Sequence, residues 1–523
     1  MKSLRPLLLW TVGGLAALLA GALIWSAAFL DLNDYSEGIA ERIEQQTGLK
    51  FSLQGPLRLD FRYQEGEGLF ADLGVEDAYL ETIVGMPGPQ HARVRKLTLS
   101  LSVMELPRLM RGDLFEGVGR FSVTDLDLVP LATGLGLDAQ SFDDSGFRAM
   151  TAEGEYQMGS TFASINSFKI AGPTTEISGD LRLQDLHQDA RIEFELSSAS
   201  LNLDEIVSEE YRGPLDAFEW LSLSPLLASG ISARGIVQIG TFQSGGLVLR
   251  NLNIPIYSEG GSVVASPVTG DLYGGTMRID TVAYAAGADL DFRTKQAFWQ
   301  VEAGELLQDL GLTHMLRGRA DFTAIVAFSG AEYLERIQSA RGVVTLAAKK
   351  GQVRGFDIAS LLDRLSQSNL QSGGDWLGEN AYTPLENITA TLRLEDAQLV
   401  NDNLAFRAGG LEVAGQGGLT LEDQLVDYRL SLELNQPEVV TLLPPPFNSA
   451  GLVLPIRVTG RWDNPGIMID MPTLIQMQLQ RAMGVKSTLQ PHSADPQATA
   501  LAKVLEAELS ERLNQFASAG VMQ

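Results

Sequence analysis

The chain of 523 residues contains no cysteine. This absence excludes disulfide frameworks, thiolate zinc sites, iron–sulfur clusters, a thiol nucleophile and a lipid anchor on cysteine. Positive charge is scarce as well, because 39 Lys and Arg residues stand against 65 Asp and Glu residues, for a formal charge of −26. A protein this acidic lacks the basic surface that binds nucleic acid, so we expect no nucleic-acid partner. The 53 glycines, in contrast, exceed average usage and are spread along the chain, which indicates many turns.

Residues for catalysis and metal binding are also sparse. The four histidines share no HExxH or HxH spacing, and the sequence has no Gly-x-Ser-x-Gly elbow, Walker loop or dinucleotide fingerprint. The carboxylate pairs Asp125/Asp127 and Asp289/Asp291 are one strand period apart; such a pair either binds a metal ion or, more commonly, faces solvent. The segment 273–275 (Tyr-Gly-Gly) is read as a phosphate cradle or as a tight strand end, and its context favours the strand end. The sequence therefore predicts no enzyme, no cofactor and no metal site.

Long hydrophobic runs are limited to one, residues 7–30, which carries no charge. As a helix it would span about 36 Å, enough to cross a membrane. Basic residues precede this run and acidic residues follow it, so the positive-inside rule predicts that residues 1–6 are cytoplasmic and the body is exported. Trp10 and Trp25 lie near its two ends, where indole rings anchor a helix at the headgroups. A cleavable signal peptide is the alternative, but the length of the run favours a retained anchor.

After residues 31–49, where helical spacing predicts a short amphipathic helix, the period of the apolar residues becomes two. This alternation is typical of half-buried strands, and turn signals such as Gly245-Gly246 separate the alternating segments. Helical spacing returns only in short stretches, at residues 305–310, 355–365 and 498–516. The sequence therefore predicts a mainly β fold with few helices, built as an extended antiparallel meander.

One side of each alternating strand is apolar, and the pattern allows two outcomes. The strands either close into a sandwich, in which the apolar side is ordinary core, or curl into an open trough that could hold acyl chains. Composition alone is more typical of the closed core. Because the side-chain period is two, a register slip of one residue would also invert which face lines a trough.

Several sequence blocks resemble, in order, those of the AsmA family. They are the helix and strand after the apolar run (32–57), an alternating segment followed by Gly-Asp-Leu (92–114), a strand that finishes in Leu-Tyr-Gly-Gly (270–275), a Gly-x-x-x-Gly-x-Asp start of a helix (351–358) and a Pro-containing strand followed by Gly-Arg-Trp-Asp-Asn-Pro (454–465). Each block is weak alone, but together they are specific and cover most of residues 1–473.

The resemblance implies a single-pass inner-membrane protein of Gram-negative bacteria with a periplasmic body and a role in outer-membrane biogenesis. Larger relatives are associated with a taco-like β groove that conducts phospholipid, so the resemblance shifts the expectation from a closed sandwich to an open hydrophobic groove. It divides the body into an N-terminal AsmA-like β region (50–235) and a C-terminal one (236–473), followed by a tail with an amphipathic helix (474–523). No catalytic residues carry over.

We therefore expect a lipid-handling protein that holds acyl chains of phospholipid or another envelope lipid in its groove. The predicted groove residues are Leu97, Leu99, Leu101, Val103, Ile192, Phe194, Leu196, Tyr428, Leu430, Leu432 and Leu434. The alternative is a scaffold or assembly factor for outer-membrane proteins, without lipid transfer, whose strand edges pair with clients. Because a chain of this size could build too short a groove to cross the periplasm alone, outer-membrane assembly components are candidate partners.

Overall fold

The described part of the chain consists largely of strands. The computed structural model describes residues 50–53, 55–64, 68–81, 91–102, 117–126, 150–158, 162–173, 175–184, 191–205, 232–286, 289–310, 315–330, 333–366, 377–409, 411–434, 452–483 and 495–518. The prediction of a mainly β fold with few helices is confirmed. The predicted anchor, with Trp10 and Trp25, and the predicted helix at 31–49 lie outside these residues. Of the helices that the structure describes, none has both the length and the apolar character needed to cross a membrane.

The chain divides into two compact units. The first contains the described residues up to Ser266 together with Ala283–Ala285, and the second contains Pro267–Val282 and the described residues from Ala286 onward. The predicted border between the two AsmA-like regions, at residues 235 and 236, lies within a strand of the first unit.

The first unit is an antiparallel meander. Its strands are β1 (Lys50–Leu53), β2 (Leu57–Gln64), β3 (Gly68–Glu81), β4 (His91–Ser102), β5 (Gly117–Leu126), β6 (Met150–Met158), β7 (Phe162–Ala171), β8 (Glu176–Gln184), β9 (Arg191–Asn202), β10 (Ser232–Ser244) and β11 (Leu247–Glu259). Strands β1 and β2 both pair with β3, and each strand from β3 to β9 pairs with the next. Strand β10 then lies parallel to β9 and antiparallel to β11.

Local sequence explains both the strands and their turns. In β9 the apolar residues Ile192, Phe194 and Leu196 alternate with exposed charged residues, as the pleat of a strand requires. The turn between β10 and β11 consists of Gly245 and Gly246, whose φ angles of 57° and 84° lie in the left-handed region that glycine adopts without steric cost. The predicted turn at this position is confirmed.

The second unit is a separate antiparallel series, reached through β12 (Ser262–Leu272) and β13 (Gly275–Ala286), which contain the points of division. Its further strands are β14 (Asp289–Glu302), β15 (Leu316–Arg317), β16 (Arg319–Ser329), β17 (Arg341–Phe356), β18 (Leu377–Glu395), β19 (Gln398–Ala408), β20 (Leu411–Thr420), β21 (Leu425–Leu434), β22 (Leu452–Arg461) and β23 (Gly466–Ile469). Strand β14 pairs with β16, β15 pairs with β17, and from β16 onward each strand pairs with the next.

The described strands form long, open antiparallel sheet, because their pairings do not return to the first strand of either series. This confirms the predicted meander, whereas its curvature into a groove stays a prediction. The described helices are few: α1 (Ala303–Asp309), α2 (Tyr333–Ser339), α3 (Ile358–Ser366), α4 (Met471–Ala482) and α5 (Pro496–Ser518).

Helix α5 confirms the predicted helix of the tail, and it docks on strands of the second unit. Its Ala498 and Leu505 are buried against Ile325, Ala327 and Val343 of β16 and β17. Ion pairs border this contact, from Arg293 to Glu508 at 3.0 Å, from Lys295 to Glu506 at 2.7 Å and from Arg393 to Asp495 at 2.7 Å. Val504 of the same helix lies outside this contact and is 51% exposed.

Candidate functional site

An apolar face crosses strands β8 to β11 of the first unit. We call it the first-unit apolar face and define it by Leu181, Leu183, Ile192, Phe194, Leu196, Ala233, Val237, Ile254 and Ile256. The register explains why these residues share one side, since Leu183, Ile192 and Ala233 are direct partners across three strands. Directly opposed residues project from the same side of a sheet.

Burial is graded along the first-unit apolar face. Leu183, Ile192 and Ala233 are buried, at 0%, 3% and 6% exposure, and form a small core cluster. Phe194 and Leu196, further along β9, are only half-buried. Within the described residues of the first unit, no α-helix lies over this face. The face therefore offers apolar surface that the described protein groups leave partly open.

A glycine lies beneath the aromatic ring at the centre of this face. Phe194 and Gly235 are partners in the parallel pair of β9 and β10. A methyl group added at Gly235 would lie 2.2 Å from the carbonyl oxygen of Phe194 and 2.5 Å from the Cγ of its ring, so backbone and ring together occupy the space that a side chain would need. Glycine at this position therefore permits the close approach of the two strands.

A cavity of about 410 Å³ is also associated with β8 to β11, and its lining is mixed. Leu181 and Phe194 of the first-unit apolar face line it together with residues of the other side of the strands, namely Asp180, Arg182, Glu193, Glu195, Arg234, Ile236, Pro255 and Tyr257. Arg182, Glu193, Arg234 and Tyr257 are successive register partners, and the Arg234 guanidinium lies 5.8 Å from the centroid of the Tyr257 ring. This cavity therefore combines charged groups with apolar residues from both sides of the strands.

The predicted groove residues of the first alternating segment occupy the corresponding register further along the first unit. Leu99 of β4 is the partner of Leu73 and of Phe121, and Leu97 is the partner of Val123. Phe121 and Val123 are buried at 5% and 2% exposure. Leu101 also lies in β4, as the partner of Gly119. Val103 falls outside the described residues.

The side of the meander that carries Leu101 also contains a buried polar atom, the hydroxyl oxygen of Tyr156. Tyr156 of β6 is the partner of Gly119 and of Ile165, and its residue exposure is 3%. Among the described residues its hydroxyl has no hydrogen-bond partner, and burial raises the pKa of that hydroxyl. Leaving a buried hydroxyl unpaired costs about 1–3 kcal/mol.

The second unit has an apolar face of its own, but protein covers one end of it. We call it the second-unit apolar face and define it by Tyr428, Leu430, Leu432, Leu434, Leu452, Leu454 and Ile456. Leu432 and Leu434 are 1% and 0% exposed, in one core cluster with Ile358 and Leu361 of α3 and Leu474 of α4. Among the predicted groove residues, these two therefore belong to a core that also contains helical side chains of the same chain.

The other end of the second-unit apolar face is half-buried and contains a hydrogen-bonded pair. The Tyr428 hydroxyl donates to Oδ1 of Asn401, a residue that is 2% exposed. Asn401 in turn donates to the Thr391 carbonyl at 2.7 Å and accepts from the Leu404 backbone N–H at 3.1 Å. These bonds satisfy backbone groups at the register shift between β19 and β20. Burial is the main cause that raises the pKa of the Tyr428 hydroxyl, and the negative charge of Asp402 is the second cause.

Two of the blocks that resemble the AsmA family have structural roles in the second unit. Tyr273, with a φ of 44°, forms the turn between β12 and β13, and its hydroxyl donates to Asp309 at the end of α1. The interpretation of this segment as a strand end is therefore confirmed. Asp357 caps α3, where its Oδ1 accepts from the Ala359 N–H at 2.9 Å and its Oδ2 accepts from the Ser360 hydroxyl at 2.6 Å.

Within the described residues, no group of three or more His, Asp or Glu side chains is arranged to hold a metal ion. In the pair Asp289/Asp291, the Asp291 carboxylate lies 3.7 Å from the Arg293 guanidinium. Asp127 of the other pair lies outside the described residues. The expectation that this chain is not an enzyme stays a prediction.

Sequence reasoning missed helix α4 and its exposed side chains. Met471, Ile475, Leu479 and Met483 recur every four residues and are all exposed. The signals were present, since Asp470 is a capping residue and Leu474 begins the buried side of the helix. They were obscured because glutamines separate the apolar residues and weaken the contrast between the two sides.

The comparison with protein families agrees with the sequence blocks. The AsmA family model matches residues 229–407, about a third of the chain, from the beginning of β10 to the end of β19. No curated protein and no solved structure matches the chain. Two of the blocks that carry the resemblance, at 270–275 and 351–358, lie within the matched span. This match supports the assignment of the chain to the AsmA family over residues 229–407.

Proposed function

We propose that this protein handles lipid during biogenesis of the bacterial envelope, holding acyl chains of phospholipid or another envelope lipid against apolar faces of its sheet. Family membership suggests the role in envelope biogenesis, and lipid binding is our extension of it. In this proposal residues 7–30 anchor the chain in the inner membrane of a Gram-negative bacterium, with the N-terminus in the cytoplasm and the body in the periplasm.

The observation that supports lipid binding is the half-buried end of the first-unit apolar face. Phe194 and Leu196 present apolar surface in a register that continues on β10 and β11 through Val237 and Ile254. Burying such surface against an acyl chain is favourable by about 25 cal/mol per Å². A linear series of apolar rows suits a linear hydrocarbon better than a compact polar ligand.

The burial pattern also narrows the set of groove residues. Leu432 and Leu434 are already buried in a core cluster that includes side chains of α3 and α4, so we assign them to the core. Phe194, Leu196 and the half-buried Leu430 remain as the residues that we propose to contact acyl chains.

Photocrosslinking tests the proposal with a matched pair of positions on β9. Leu196 and Ala199 are each replaced by p-benzoylphenylalanine in the full chain, which is irradiated in intact cells. Ala199 is exposed and lies on the opposite side of the strand, so it controls for contact with bulk lipid. We expect a phospholipid adduct at residue 196 and none at residue 199, as measured by mass spectrometry.

Two results would contradict lipid binding. Equal lipid adducts at both positions would mean that the apolar side has no special access to lipid. Adducts at residue 196 to outer-membrane protein precursors, without lipid, would instead support a scaffold function. Unchanged circular dichroism of both variants establishes that either result comes from a folded body.

A further inference from the structure

Helix α4 exposes an apolar stripe that the fold does not use. We define the α4 stripe by Met471, Ile475, Leu479 and Met483, which are 40%, 56%, 60% and 73% exposed. Residues four apart lie on the same side of a helix. Met468 of the neighbouring edge strand β23, at 52% exposure, adds to the same apolar surface. Soluble surfaces seldom concentrate so many large apolar side chains.

Contacts on the opposite side of α4 determine which way the stripe faces. Leu474 is 1% exposed and belongs to the core cluster beneath α4. Asp470 caps the helix, because its Oδ1 accepts from the Thr473 N–H at 3.1 Å and its Oδ2 accepts from the Thr473 hydroxyl at 2.7 Å. These bonds, with a smaller contribution from Arg457 and Arg429, hold the pKa of the Asp470 carboxyl below its ordinary value. The helix is therefore held by its inner side, with the stripe directed away from the core.

Charge near the stripe differs from that of the whole chain. The chain carries 65 acidic residues, yet residues 471–494 contain no Asp or Glu and include Arg481 and Lys486. An amphipathic helix without acidic residues, next to basic ones, is suited to the boundary between headgroups and acyl chains of an anionic membrane. The acidic remainder of the chain would be repelled from the same surface, so contact would be confined to this segment.

The side chains of the stripe also favour lipid over a protein partner. Protein interfaces concentrate binding energy in Trp, Tyr and Arg, and the α4 stripe contains none of these. Methionine and leucine side chains adapt to an irregular surface, and the flexible thioether of methionine tolerates many packing arrangements. A fluid acyl region is such a surface.

We propose that the α4 stripe is a membrane-docking surface, which inserts its apolar side chains among the headgroups and upper acyl chains of an anionic bilayer. The proposal does not rest on lipid binding by the first-unit apolar face. A chain whose sheet holds no lipid could still dock through α4, and the two experiments can therefore fail separately.

A site-specific fluorescence experiment tests this docking on the full chain. Because the chain has no cysteine, Met483→Cys and the matched control Val504→Cys can each carry a single environment-sensitive fluorophore. Val504 of α5 is also an exposed apolar residue, at 51%. The labelled proteins are mixed with vesicles of phosphatidylethanolamine and phosphatidylglycerol whose acyl chains carry bromine as a quencher.

We expect quenching and a blue shift at residue 483, and neither at residue 504. Replacing both Ile475 and Leu479 by Glu in the protein labelled at 483 should remove most of the quenching at that residue, since apolar burial of α4 is lost even where residues 7–30 keep the chain on the vesicle. Vesicles of phosphatidylcholine alone should quench residue 483 more weakly, because they lack anionic headgroups.

Three outcomes would overturn the proposal. The first is absence of quenching at residue 483, and the second is equal quenching at 483 and 504, which would indicate membrane contact by the chain as a whole. The third is a blue shift at 483 that appears without vesicles and grows with protein concentration, which would show that a second copy of the chain covers the stripe. Circular dichroism of the Glu variant, unchanged from the parent, establishes that loss of quenching does not come from unfolding.

Discussion

The two apolar faces of this protein come from the same sequence pattern but differ in what lies over them. In the first-unit apolar face Phe194 and Leu196 stay half-buried, and no described α-helix lies over them. In the second-unit apolar face Leu432 and Leu434 are almost fully buried, in a core cluster that includes side chains of α3 and α4. Alternation therefore determines which side of a strand is apolar, whereas nearby helices determine whether that side is core or available surface.

We expect the largest loss of stability when a buried side chain of the second-unit apolar face is shortened. Leu432→Ala removes a fully buried side chain from the core cluster that includes α3 and α4 and should lower the free energy of unfolding of the second unit by about 2–5 kcal/mol. Leu196→Ala, on the half-buried face, should cost about 1 kcal/mol, because part of its side chain already contacts water. Hydrogen exchange of β21 and of β9 measures the two costs separately. Equal losses would mean that the two faces do not differ in burial.

The next largest loss of stability is expected where an added methyl group has no space. Gly235→Ala would bring a methyl group to 2.5 Å from the Cγ of Phe194, and the strain should cost about 1–3 kcal/mol in the first unit. Gly74→Ala is the matched control, because the nearest atom to its added methyl group is the Cβ of Arg58 at 3.8 Å. That variant should be neutral or slightly stabilising. Thermal unfolding of both variants tests the contrast. A tolerated Gly235→Ala would contradict the close approach, because both the backbone and the ring of Phe194 would have to move away.

Much of this fold could be predicted from sequence because the causes are local. The alternation at Ile192, Phe194 and Leu196 depends only on the pleat of one strand, and each of these residues lies in a strand as predicted. The helix at 355–365 was likewise indicated by its own apolar spacing, and α3 confirms it, with Ile358 and Leu361 buried.

The covering of the second-unit apolar face could not be predicted, because its causes are distant in sequence. Leu432 belongs to a core cluster with side chains of α3 and α4, which lie about 70 residues before it and 40 residues after it. The register shift near Asn401 also changes which residues are opposed, and no local signal announces it. The same alternation at Leu196 and Leu432 therefore led to the same prediction for two different environments.

Helix α5 is held on the second unit by ion pairs that differ in their exposure to solvent. Asp495 is 7% exposed, lies 2.7 Å from Arg393 and accepts from the Gln497 N–H at 2.8 Å. Asp495→Ala removes both a helix cap and one partner of a shielded ion pair, so the docking of α5 should weaken by about 1–3 kcal/mol. Lys295→Ala, which breaks the exposed pair with Glu506, should cost about 0.5 kcal/mol or less. Limited proteolysis within α5 measures both effects, and similar cleavage of the two variants would contradict a special role for Asp495.

The smallest contrast lies in the two buried tyrosine hydroxyls. Tyr428 donates to Asn401 in the second unit, whereas the Tyr156 hydroxyl of the first unit has no partner among the described residues. Tyr428→Phe should therefore cost about 0.5–1.5 kcal/mol, limited because Asn401 keeps its bond from the Leu404 N–H. Tyr156→Phe should be neutral or stabilising by up to about 1 kcal/mol, because it removes an unpaired polar atom from an apolar side. Denaturant unfolding followed by hydrogen exchange separates the two. A loss of stability in Tyr156→Phe would contradict this expectation and show that its hydroxyl has a partner in the folded protein.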